Sequence, residues 1–191
     1  GKVIDTFRYD DRDFLITFTQ ETFYLLSPEN EIYSKVNDIS SPGNLNKNYF
    51  PIFEITDTTI FDNKIYIADS HFKTIQSYTI SPNEDGYDMT SSEIILGSSS
   101  FDYGRFNNPS NIFVQGDEYY ISDTGNNRIQ YLIDGKSHII DNLATNANPH
   151  SMSIDKFHNM YFVANENGQD YLYKYSYSYS KNNDVISHNY N

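Results

Sequence analysis

Three oxygen-bearing side chains stand at matching places along the chain. Asp69, Asp123 and Asn165 each close a short apolar run and open a polar turn. Converging on one point, such groups would make a hard-ligand site for Ca²⁺. A metal site needs convergence, however, and copies at steps of 54 and 42 residues are what repeated turns require. The reading preferred here is that each caps its own turn. Of the five histidines, His71, His138, His150, His158 and His188, His150 is the one to weigh, because Asn148-Pro149-His150 leads into an alternating run. Ser110 follows Pro109 in the same way. One imidazole and one hydroxyl do not make a three-ligand zinc site. No nucleophile-elbow, phosphate-loop or zinc-protease pattern occurs. The carboxylates at Asp10, Asp11 and Asp13, and at Glu84 and Asp85, fall in polar turns. No catalytic residue, metal ligand or cofactor is expected.

The elements that would position these residues are short strands. Residues 110–114 are apolar-rich, 115–118 make a polar turn, and 119–122 are aromatic and β-branched. After a second turn at 123–127, Ile129, Tyr131 and Ile133 alternate onto one face. In that turn Asp123 is expected to accept backbone N–H groups near Gly125 and Asn126, which tolerate the left-handed conformation. Arg128 is placed to fork back onto Asp123 or onto loop carbonyls.

The pattern recurs. Residues 64–70 and 73–78 parallel 118–131, residues 160–165 and 171–175 repeat it, and 13–18 with 22–26 carry the strand pair without the turn. Four units of four strands are predicted. The first takes 3–7, 14–18, 22–26 and 31–36, and the second 53–61, 65–69, 74–80 and 93–96. The third takes 111–115, 119–123, 129–133 and 137–140, and the fourth 151–155, 160–164, 171–177 and 184–188. Residues 40–49 and 82–92 are polar and expected as loops. The alternating Tyr and Ser residues of 173–180 read as a strand to Tyr177, with a loose end after Lys181.

Phe106, Asn107, Pro109, Asp123, Thr124, Gly125, Asn126, Arg128 and Ile129 together resemble the signature of NHL repeats, closely over residues 105–134 and more weakly elsewhere. The resemblance implies an all-β fold, a β-propeller of four-stranded antiparallel blades. Its blades would be about 1–40, 41–97, 98–143 and 144–180, with 181–191 a tail or closing strand. It also implies a structural turn signature at Asp69, Asp123, Asn126, Arg128 and Asn165, and channel-facing places for His150 and Ser110. Propellers of this family more often have six blades, so the four seen either close by themselves or form part of a larger ring. Some relatives bind single-stranded RNA through a basic face, and some lyases hold a channel zinc through histidines from several blades.

Charge and composition narrow the choice. The net charge is −13, from 13 Lys and Arg against 26 Asp and Glu. That field opposes binding to phosphate backbones. With no cysteine there are no disulfides and no thiolate metal ligands, and the sequence names no compartment. No apolar stretch reaches the length of a membrane span. The 18 Tyr and 13 Phe supply core area and favour strands. The expected function is a non-catalytic module that binds protein partners, further blades or subunits of an assembly. The alternative is a lactonase-like or lyase-like enzyme with a channel metal.

Overall fold

The computed structural model describes residues 2–9, 12–19, 22–26, 32–36, 54–83, 86–97, 105–133, 136–140, 143–178 and 187–190. They form sixteen strands and one 3₁₀ turn, Thr124–Asn126. The first four strands are β1 (Lys2–Tyr9), β2 (Arg12–Thr19), β3 (Thr22–Leu26) and β4 (Ile32–Val36). Next come β5 (Ile55–Phe61), β6 (Lys64–Asp69), β7 (Thr74–Asn83) and β8 (Gly86–Leu96). The third group is β9 (Pro109–Gln115), β10 (Glu118–Asp123), β11 (Arg128–Ile133) and β12 (Lys136–Ile140). The last is β13 (His150–Ile154), β14 (Met160–Glu166), β15 (Gln169–Ser178) and β16 (Ser187–Tyr190). Each group is one antiparallel sheet whose strands lie side by side in chain order. The fold is all-β.

Alternation explains the layers. In the third sheet Tyr120 pairs with Tyr131 and Phe113, and Ser122 pairs with Ile129 and Asn111, so these share one face. That face packs on Met152, Met160, Phe162 and Tyr175 of the fourth sheet. The opposite face, with Ile112, Val114 and Ile121, packs on Tyr66, Ala68 and Ile75 of the second. Tyrosines lock both layers edge to face, Tyr66 with Tyr119 at 5.8 Å and Tyr131 with Tyr175 at 6.4 Å.

The first strands of successive sheets lie next to one another, and the same device joins the second sheet to the third and the third to the fourth. Asp57 of β5 accepts the Ile112 N–H of β9 at 2.8 Å, and also the Asn111 side-chain amide. Asn111 then accepts the Met152 N–H of β13 at 2.8 Å. Two hydroxyls reinforce the seams: Thr56 donates to the Pro109 carbonyl, and Thr124 to the Pro149 carbonyl at 2.6 Å.

One expected loop is a hairpin. Residues 82–83 and 86–92 belong to β7 and β8, which pair through Ser81↔Asp88, Pro82↔Tyr87 and Asn83↔Gly86. Backbone ladders are indifferent to polar side chains. Pro82 lies beyond Thr79, the last β7 residue paired with β6, so its missing donor breaks no bond to that strand. The tyrosine-rich strand runs to Ser178, and its partner, expected at 184–188, lies at Ser187–Tyr190. The expected loop at 40–49 falls outside the described residues.

Ser122 Oγ is fully buried between the third and fourth sheets and has no hydrogen-bond partner. The matching place in the second sheet holds Ala68. Ser122→Ala is therefore expected to stabilise by about 1 kcal/mol, raising Tm by about 2–4 °C in a thermal melt.

Candidate functional site

The signature hairpin, β10 to β11, gathers its polar groups onto two acceptors. Asp123 is fully buried. One of its oxygens accepts the Asn107 N–H at 2.7 Å. The other accepts Arg128 Nε at 2.8 Å, Gln130 Nε2 at 2.9 Å and Asn126 Nδ2 at 2.9 Å. The Arg105 carbonyl, the second acceptor, takes Arg128 Nη2 at 2.7 Å and Gln130 Nε2 at 3.0 Å. The segment leading into the sheet is thus clamped onto the hairpin by its backbone. A fully buried carboxylate already carrying four donors is closed to a substrate or a cation from solvent.

This differs from the expected geometry. Asp123 makes no capping bond to the turn that follows it. The left-handed residue is Asn127 (φ 56°), rather than Gly125 or Asn126. Gly125 is required for another reason, since a Cβ there would collide with the Asn107 carbonyl oxygen. Asn107 Nδ2 donates to the Gly125 carbonyl at 3.0 Å, so the lead-in segment crosses the turn in direct contact. Gln130 was not singled out from the sequence. The signal for it was the second buried glutamine, Gln76, at the matching place in β7.

Asp69 does serve its own turn, accepting the Phe72 N–H at 2.9 Å. Asn165 serves its turn too, accepting the Gly168 N–H at 2.9 Å and donating to Asp170 at 2.9 Å. Asn165 is nevertheless not the counterpart of Asp123. The pair Val163↔Leu172 matches Ser122↔Ile129, which places Ala164 opposite Tyr171 where Asp123 stands opposite Arg128. Asn165 is one residue further, on the other face of its sheet. The connection from β13 to β14 is longer than the Gly116-Asp117 turn, and this shifts the register.

Ser110 and His150 do not come together as a site. Ser110 Oγ shares a hydrogen bond with the Thr124 hydroxyl at the seam. His150 is half-buried, with Nδ1 3.1 Å from the Asn148 carbonyl. Among the described residues, no three of His, Asp or Glu are grouped to hold a metal ion.

Two further polar clusters lie at the sheet ends. Asp155 accepts the Phe157 N–H at 2.8 Å, the Asn159 N–H at 2.9 Å and Asn159 Nδ2 at 2.7 Å. The Asn159 side chain does most to hold the Asp155 carboxyl below its ordinary value of 3.8; desolvation opposes it, and the two amides and the Tyr161 hydroxyl add to it. A carboxyl lowered in the folded state contributes stability above its unfolded pKa and loses it as pH falls through the folded one. Carboxyl-carbon NMR is expected to show Asp155 titrating below pH 3.8, and Asn159→Ala to move that midpoint upward. Burial, together with the hydrogen bond it donates to Glu166, pushes the Tyr173 hydroxyl up to about 12, so it stays a neutral donor.

Comparison with models of known protein families gave no match, and comparison with curated proteins gave none either. The chain's chemistry rests on its own geometry. Among the described residues that geometry spends the signature on holding segments together.

Proposed function

We propose that the chain is a non-catalytic, NHL-like β-propeller module that binds other proteins or serves as a subunit of a larger assembly. One observation carries this reading. Asp123, the centre of the signature, is fully buried beneath four donors, so the repeat's most reactive group is occupied by architecture. Like-built sheets whose first strands are hydrogen-bonded in succession fit blades set around an axis. Recognition is then left to exposed groups, among them Phe72, Phe157, Tyr171 and Leu172. The net charge of −13 fits protein partners better than nucleic acid.

The test is metal content and turnover together. Dialysed protein should hold no stoichiometric zinc or calcium by elemental analysis. It should also leave lactones and hydroxyglycine-ended peptides unchanged when either ion is added. One tightly held ion per chain with saturable turnover would overturn the reading in favour of a channel-metal enzyme.

A further inference from the structure

Among the described residues, five asparagines adopt positive φ: Asn108, Asn127, Asn146, Asn148 and Asn167. Asparagine tolerates that region, but it carries a chemical liability there and elsewhere. The backbone nitrogen of the next residue can attack its side-chain amide carbon. Four of the five are protected. Pro109 and Pro149 follow Asn108 and Asn148, and a proline nitrogen has no proton to lose. The Asn127 amide is held at both ends, donating to the Ala144 carbonyl at 2.9 Å and accepting the Asn148 N–H at 3.0 Å. After Asn146 the attacking nitrogen would be that of Ala147, which is buried and donates to the Ala144 carbonyl at 3.0 Å.

At Asn167 a single restraint remains. The residue is exposed, and its side-chain amide makes no hydrogen bond among the described residues. Gly168 follows it in the one Asn-Gly pair of the chain, and glycine sets no side chain in the way of the attack. The fold requires this pair. Glu166↔Gln169 closes a two-residue hairpin loop in which Asn167 and Gly168 have φ of 52° and 84°, and such a loop favours Asn-Gly. The restraint is the Gly168 N–H itself, which donates to Asn165 Oδ1 at 2.9 Å. The proton that the nitrogen must lose first is held there.

We propose that Asn167 is a deamidation site and that Asn165 slows its conversion. The Gly168 nitrogen gives its proton to hydroxide and attacks Asn167 Cγ. A C–N bond forms, the side-chain nitrogen takes up a proton and leaves as ammonia, and a cyclic imide remains. Water then opens the imide at either carbonyl. One opening gives aspartate, which adds a negative charge at the hairpin end that already holds Glu166 and Asp170. Asp-Gly still suits the loop. The other opening gives isoaspartate, whose main chain runs through Cβ and is longer by an atom. A two-residue loop has no slack for it, so the Glu166↔Gln169 pair opens.

The test is to hold the full chain in warm, mildly alkaline buffer and follow each asparagine by peptide mapping with mass spectrometry. Methyl transfer by an isoaspartyl methyltransferase counts the isoaspartate. Asn167 should convert before every other asparagine, at a rate proportional to hydroxide. Asn165→Ala should convert about fivefold faster, which is about 1 kcal/mol, the size of a lost hydrogen bond. Asn165→Asp keeps an acceptor for the Gly168 N–H and should convert no faster than wild type. Asp170→Ala removes the other bond of Asn165 but leaves the bond from Gly168, so it separates that bond from general loosening of the hairpin. Its rate should stay near that of wild type. Far-UV circular dichroism checks that each variant is folded. Conversion of another asparagine first, or none at Asn167, would overturn the site. An Asn165→Ala rate equal to wild type, or an equal rise in Asp170→Ala or Asn165→Asp, would overturn the part given to Asn165.

Discussion

Asp123→Ala is expected to lower stability by about 3 kcal/mol, because it strands Arg128 and three further donors in a site closed to water. In a chain of this size that is a fall in Tm of about 6–12 °C. Arg128→Ala should cost less, about 1–2 kcal/mol: its side chain is 18% exposed and its partner keeps other donors. The double variant should cost less than the sum of the two, since both act on one network. Asp123→Asn keeps the shape but removes the charge and turns one acceptor oxygen into a donor that faces other donors, so it too should destabilise. Partner binding, measured where every variant stays folded, should be nearly unchanged. If Asp123→Ala melts like wild type while binding or turnover disappears, the residue is a functional group and the structural assignment is wrong.

Asn111→Ala is the second large effect, about 2–3 kcal/mol. It removes the acceptor of the Met152 amide and the donor to Asp57 in one step, so two seams loosen together. Asn111→Asp separates the two roles. It keeps an acceptor for Met152 but sets a carboxylate against Asp57, so it should destabilise more at neutral pH and recover in mild acid as one of the two takes a proton. Denaturant melts at two pH values would show this, and an Asn111→Asp variant as stable as wild type would mean the seam is not built as described.

What the sequence made legible follows from local rules. Strands announced by alternation, such as 129–133 and 160–164, lie where expected, and the meander order follows from short polar turns. The pairing of 82–83 with 86–87 and the rest of β8 is hidden in the sequence because polar side chains and a proline read as loop. Asp123 was seen as central, but its partners were expected nearby in the chain. Arg128, directly opposite in the hairpin, is legible as a partner and bonds it, whereas the Asn107 amide reaches it only once the lead-in segment folds across the turn, and Gln130 comes from the facing strand. Asn165 was aligned by the look of its turn, and a longer hairpin before it moved the register by one residue. Gln130 lay in plain view beside its twin Gln76, yet a single glutamine in a strand reads as surface until both sheet faces are known to be covered.

The central claim is that first-strand side chains fasten the second sheet to the third and the third to the fourth. Amide hydrogen exchange at Ile112 and Met152 tests it most directly. In wild type both should exchange as slowly as the core amides of β10 and β14. In Asn111→Ala the Met152 amide should exchange faster by ten-fold or more, about 1.4 kcal/mol, and by more than Ile112, which keeps Asp57 as its acceptor. Rapid exchange at both amides in the wild-type protein would contradict the account.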